Sequence, residues 1–215
     1  MEIEMFYPHV FFTAFMFMAL PGPVSLYIAS TALSGRLTRA LLLGVGVALV
    51  DAVYILFAVL GIGTLMVSLP FVKLILLSVG ALFLLKLGIA HIGSRLVEDM
   101  AEDSRGEVHV WNSILEGALL TAPNPGTVLG ITMLGSSLML GFPSATSRLL
   151  VAIPVSMLLA SLSYWCCLSC VMHAAGMRLG MRIRSLMGII GGGVLCIVGG
   201  KFLVEVVMSI ILMVS

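Results

Sequence analysis

Charge is scarce in this chain. Of its 215 residues 10% are charged and 60% are apolar, against roughly 25% and 45–50% in ordinary soluble domains. With a mean hydropathy of +1.21, the chain belongs in lipid. Its net charge is only +1, so the basic patch that nucleic-acid binding depends on is missing, and no such partner is expected. The four cysteines, Cys166, Cys167, Cys170 and Cys196, fall inside apolar runs, without the spacing of a zinc site or a secreted disulfide framework. They read as packing residues. Phosphate-binding loops, nucleophile elbows and metalloprotease motifs are also lacking, so neither an enzyme nor a bound cofactor is expected. Met1-Glu2-Ile3-Glu4 carries acids where a cleavable signal would carry Lys or Arg, and the first apolar run is expected to stay in the mature protein.

What is present is apolar sequence in long runs. A helix needs about 20 such residues to cross the hydrocarbon. Runs punctuated by charge or by Gly and Pro predict spans near 8–34, 38–66, 71–93, 111–140, 146–173 and 184–213. The one long polar stretch, Ser94 to His109, separates a first three-span unit, residues 1–97, from a second, residues 111–215, with 98–110 as a polar cytoplasmic loop. The first, third and fifth loops hold Arg36, Arg39, Arg95, Arg105, Arg178, Arg182 and Arg184, whereas the opposite side holds Lys73 and Arg148. That asymmetry places the three Arg-bearing loops in the cytoplasm and both termini outside, in the cell membrane.

Three is an odd number, so if the halves are related the second enters the membrane inverted. The expected fold is therefore an all-α membrane protein of six transmembrane helices arranged as two inverted three-helix repeats. Pro21-Gly22-Pro23 interrupts span one near its middle, and Asn124-Pro125-Gly126 interrupts span four at a matching depth. Proline removes a backbone donor and clashes with the preceding turn, leaving carbonyls that lipid cannot satisfy. Backbone of this kind is tolerated only where protein or a wet cavity surrounds it, so the two breaks mark the expected substrate site. Opened half-helices would turn amides toward an anionic group such as a carboxylate. A packing kink is the plainer reading, and it is the one taken for Pro154; Pro70 reads as a loop start.

Asp51 lies near the centre of span two, where an ionised carboxylate costs at least about 2.5–3.5 kcal/mol. It must be protonated or partnered. Proton carrier, receptor for a substrate ammonium and static ion-pair member are its three readings. Lys86 in span three and Lys201 in span six are the available cations, and Glu205 stands one turn from Lys201. Glu116 reads as an interface residue, and His91 and His173 as solvated helix ends. Gly188, Gly191, Gly192 and Gly193 give span six a small face that suits close packing inside the bundle or a homodimer seam. The fifteen methionines are spread along the spans, as core filling requires.

Leu20-Pro21-Gly22-Pro23-Val24-Ser25-Leu26, the Gly-rich start of span two running into Asp51, and Asn124-Pro125 resemble the LysE/RhtB family of amino-acid exporters. The likeness runs along essentially the whole chain. It takes in Leu87-Gly88 at the end of span three, the acidic central loop and the Arg-rich approach to a Gly-rich last span. The resemblance implies export of amino acids such as lysine, arginine, threonine or homoserine, driven by the proton gradient. It assigns Pro21, Gly22, Pro23 and Ser25 to the first signature, Asp51 to the span-two acid, and Asn124 with Pro125 to the second. Two positions depart from the family pattern: Val24 stands where a polar residue is common, and Gly126 where a Lys is common. A site with one cation fewer should prefer a different charge pattern, unless Lys86 or Lys201 substitutes.

Two other functions fit some of these features. A metal or small-cation exporter would use Asp51 and freed carbonyls, although a hard divalent ion wants about six oxygens. A membrane thiol oxidoreductase would need a cysteine beside a cation or a helix start, whereas these lie in an apolar span.

Overall fold

The computed structural model describes residues 2–19, 22–61, 70–98, 109–141, 147–178 and 181–214. Pro21 and most of the expected polar loop lie outside the described residues. Every described element is a helix: α1 (Glu2–Met18), α2 (Pro23–Leu33), α3 (Leu37–Val59), α4 (Pro70–Glu98), α5 (Val110–Thr121), α6 (Pro125–Gly141), α7 (Ser147–Arg178) and α8 (Met181–Val214). Leu37–Val59, Leu150–Arg178 and Ile189–Ile211 are each long and apolar enough to cross a bilayer. Pro8–Met18 and Pro23–Leu33 make a fourth candidate, a broken span bent by 79°. Shorter apolar stretches, Leu77–Ala90 and Gly126–Gly135, lie in α4 and α6.

Local chemistry explains where the helices stop. At the end of α2, the Gly35 amide donates to Ala32 O and the Arg36 amide to Thr31 O, the paired bonds that close a helix through a left-handed residue. Gly35 supplies that residue, with φ of +87°. Gly61 (φ +76°) closes α3 in the same way, with its amide on Ala58 O. The expected second span, drawn to residue 66, therefore ends at Val59, because an apolar run does not reveal where glycine turns the chain. Pro70 is the first residue of α4 rather than part of a loop. Its missing N–H is no loss where helical amides have no intrahelical partner.

Lipid tails are as apolar as leucine, so helices in a bilayer associate through close packing rather than by escaping water. Small residues do this here. A Cβ on Gly46 of α3 would fall 2.0 Å from Ile114 O of α5, and one on Gly117 would fall 2.1 Å from Leu43 O, so the two helices cross backbone to backbone. Gly88 of α4 and Gly192 and Gly199 of α8 form a second crossing of this type, and Gly191 packs on Ser30 of α2. Glycines of span six thus pack inside the bundle, while Gly193 and Gly200 have nothing within 4 Å. Cys196 packs beside Gly88, but Cys166, Cys167 and Cys170 are exposed on the outer face of α7, so only the first acts in packing as expected.

Each broken pair packs on a long helix of the other half, and α2 packs on α8 as well. α1 and α2 pack on α7, α5 and α6 pack on α3, α3 and α7 pack on each other, and α4 pairs with α8. Buried side chains fall into two apolar clusters. One joins Val10, Ala14 and Met18 to Ile55, Ile131 and Ile153, on the side of the N-terminus; the other joins Tyr27, Ile28, Leu43, Val47, Leu120 and Trp165, on the side of the Arg-bearing turns. Asp51 and both helix breaks lie in sequence between the segments that feed the two clusters.

Candidate substrate site at the helix breaks

The break in span four is built by a short piece of sequence. α5 stops at Thr121, and the Asn124 amide returns to Thr121 O. Asn124 then caps α6, its Oδ1 accepting the Gly126 amide at 3.0 Å, with Pro125 at the first helical position. The Gly126 amide would otherwise be the natural helical partner of Ala122 O. That carbonyl is taken instead by Tyr54, whose hydroxyl donates to it from α3. A freed carbonyl and the residue that satisfies it thus tie span two to the break in span four. Gly80 of α4 completes the junction, since a Cβ there would lie 2.6 Å from Pro123 O.

The break in span one has a different character. Gly22 precedes α2 in an extended conformation (φ −140°, ψ 174°) and offers no side-chain cap, and Pro23 has no N–H. Among the described residues, the first backbone bond after it runs from Leu26 to Gly22 O. The start of α2 thus has, among those residues, no side-chain cap of the kind that Asn124 provides for α6. Ser25 is half-buried in its first turn.

Asp51 stands one turn before Tyr54 on α3 and is 1% exposed. Ser161 of α7 donates to its Oδ2 at 2.7 Å, and the Trp165 indole N–H donates to Ser161 Oγ at 3.0 Å. Gly44 lets α7 approach closely enough for this chain, because a Cβ there would meet Trp165 Cβ at 2.6 Å. Tyr164, next to Trp165 in sequence, stacks edge-on against Phe15 of α1 with ring centroids 5.7 Å apart. Each long central helix therefore sets an aromatic residue near a broken span, Tyr54 of α3 at span four and Tyr164 of α7 at span one.

Lys86 and Lys201 are exposed on α4 and α8, and the hydrogen bond to Asp51 Oδ2 comes from Ser161 rather than from either lysine. Of the expected site residues, Asp51 is brought by way of Tyr54 to the break carrying Asn124, Pro125 and Gly126, whereas the two lysines face outward. Ser161, Trp165 and Tyr54 are functional candidates that hydropathy alone passes over. The signal for them is polar residues one helical turn apart in otherwise apolar spans, Asp51 with Tyr54 and Ser161 with Trp165.

A second polar node lies toward the Arg-bearing turns. Arg39, at the start of α3, donates through Nη2 to Glu116 Oε1 and Oε2 of α5 at 3.1 and 2.9 Å, and the Tyr27 hydroxyl of α2 donates to the same carboxylate. Glu116 joins both half-helices of that side to α3. Glu116→Gln and Arg39→Gln should each lower the thermal midpoint in detergent. A double-mutant cycle should give a coupling of about 1 kcal/mol, the upper end for partly exposed pairs. Strictly additive single and double variants would count against the node.

The model of the LysE type translocator matches residues 15–206. The chain belongs to this family. Comparison with curated proteins and with solved structures returned no match. Membership makes the chain a multi-pass membrane translocator, so its helix breaks and buried carboxylate belong to a transport protein. Among the described residues no group of three or more His, Cys, Asp and Glu side chains is placed to hold a metal ion.

Proposed function

We propose that this translocator exports amino acids or closely related small solutes in exchange for protons, and that substrate binds between the two apolar clusters, at the breaks of spans one and four. The observation that carries the proposal is the connection of a break to the buried acid: Tyr54, one turn from Asp51, holds the carbonyl that the Asn124-Pro125-Gly126 break sets free. An uncapped α2 start offers amides to a substrate carboxylate, and Asp51 offers an oxygen to an ammonium or a proton. Proton and ammonium compete for one carboxylate. That competition is the physical basis of exchange, because the acid carries one or the other across but not both.

Six spans in two inverted repeats are the architecture we assign to this cycle. The pairings support it: exchanging the halves carries span one on α7 into span four on α3, and maps the α3–α7 and α4–α8 pairs onto themselves. The positive-inside count then places the node of Tyr27, Arg39 and Glu116 on the cytoplasmic side, where its opening would admit substrate. Gly126, exposed and with a potential Cβ meeting only Asn124 Oδ1 at 3.2 Å, leaves this site without a lysine at the break, which favours substrates carrying no additional acid.

Reconstituted liposomes loaded with radiolabelled lysine, threonine, homoserine or leucine test this reading. Release of at least one should accelerate when the pH gradient drives protons opposite to the amino acid, and should slow when the gradient is collapsed. Release of none of them, or release indifferent to the gradient, would refute the proposal.

A further inference from the structure

The inward face of α7 continues past Trp165 in polar residues that nothing yet described uses. Ser169 is 0% exposed and its hydroxyl has no hydrogen-bond partner among the described residues; one turn further, His173 is half-buried with Nδ1 sealed from the surface and likewise unpartnered among them. The sequence reads His173 as a solvated helix end; the structure leaves the residue half-exposed but closes its Nδ1 off from the surface. Two buried polar atoms in succession are a rarity, since a hydroxyl or imidazole nitrogen without a partner costs about 1–3 kcal/mol. Ser161, Trp165, Ser169 and His173 recur every fourth residue, so they share one face of the helix. That face begins at Asp51, through Ser161, and ends five residues before Arg178 at the cytoplasmic terminus of α7.

Resting on the exchange mechanism above, we propose that this face of α7 is the proton path between Asp51 and the cytoplasm, with Ser161 and Ser169 as hydroxyl relays and His173 as the proton-exchanging group at its mouth. One turn of a helix separates side chains by about 5–6 Å at Cβ, and Ser161 lies two turns from Ser169, beyond the reach of two short hydroxyls, so bridging water completes the path. The indole of Trp165 is a donor only and cannot pass a proton on. Packed beside Gly44, it separates the carboxyl from the lower hydroxyl and so acts as the barrier that water must pass. The proton balance is simple. Asp51 gives a proton to water, each hydroxyl accepts one on a lone pair while releasing its own, and His173 takes one at Nδ1 and releases one from Nε2. Of the elements packed on α7, and among the described side chains, α1 carries His9, α2 carries Tyr27, and α3 with the preceding turn carries Arg36, Arg39, Asp51 and Tyr54; Tyr27 and Arg39 are engaged with Glu116.

The test needs no knowledge of the substrate. The chain has two tryptophans, Trp111 and Trp165, and Trp111 is exposed, so Trp111→Phe leaves Trp165 as the sole reporter, two hydrogen bonds from Asp51. In proteoliposomes sorted for one orientation, a pH jump on the cytoplasmic side should change Trp165 fluorescence, and Asp51→Asn should abolish the change. His173→Gln should slow it about 10²-fold, at the low end of what a positioned proton-transfer group contributes, and imidazole in the bath should restore it. Ser169→Ala, a smaller perturbation of the fold, should slow it as well, while jumps on the opposite side should be unaffected. Lack of any Asp51-dependent response in the wild type would remove proton exchange at Asp51, and the path with it. An Asp51-dependent response whose rate neither variant changes would remove the path alone. Slowing that imidazole does not rescue would assign His173 a packing role and overturn the proposal.

Discussion

Asp51→Asn is expected to reduce gradient-driven export to the level of protein-free vesicles while leaving the protein folded. Asn keeps an oxygen where Ser161 donates, so the chain from Trp165 through Ser161 retains its acceptor, and the amide fills the same volume. It also removes any need to hold a charge inside the membrane, which costs about 2.5–3.5 kcal/mol at a helix centre, so thermal stability should stay level or rise. What the variant loses is the ability to bind and release a proton. Asp51→Leu is the contrasting case. It strands the Ser161 hydroxyl in an apolar setting and should cost about 1–3 kcal/mol of stability in addition to abolishing export. Gradient-driven release at the wild-type rate in Asp51→Asn would separate the carboxylate from transport, whatever its packing.

Substitution of Gly46 or Gly117 should have the largest effect on folding. Each added Cβ would stand 2.0–2.1 Å from a carbonyl oxygen of the opposite helix, and no rotamer can relieve the contact because its other partner is backbone. α3 and α5 would have to separate, disturbing the alignment of Arg39 with Glu116 on one side and of Tyr54 with Ala122 on the other. Overpacking of this kind costs about 3 kcal/mol or more, comparable with a large part of a typical stability. Gly46→Val and Gly117→Val should therefore give aggregated protein on size-exclusion chromatography in detergent. Gly193→Val and Gly200→Val, where a Cβ meets nothing within 4 Å, should remain monodisperse with little change in thermal midpoint. Four variants of equal behaviour would show that the crossing does not limit the fold.

Elements bounded by their own chemistry were legible in the sequence. The break at Asn124-Pro125-Gly126 could be read directly because proline's missing donor and its clash with the preceding turn act locally, and the structure ends one helix at Thr121 and starts the next at Pro125. The end of span two was misjudged because Gly61 turns the chain within residues that hydropathy scores as apolar. Asp51 stands out as an acid in an apolar run, to be protonated or partnered, and sequence alone offers Lys86 and Lys201 as the cations that could neutralise it. Coulomb attraction made Lys86 and Lys201 natural choices, but both face outward, and the carboxyl is met by a neutral hydroxyl from α7.

The sequence by itself determined that this chain is helical, belongs in a membrane, and carries two Pro- and Gly-marked helix breaks and one acid in an apolar run. Those properties follow from composition and from the backbone demands of Pro and Gly, which act over a few residues. Only the tertiary structure decided that Tyr54 answers the carbonyl of Ala122, that Ser161 and Trp165 hold Asp51, and that Tyr27, Arg39 and Glu116 converge. Each of these joins residues at least 68 positions apart. Side chains that distant meet only when glycine crossings set the rotation and depth of each helix against its neighbour, and no local pattern encodes that relation.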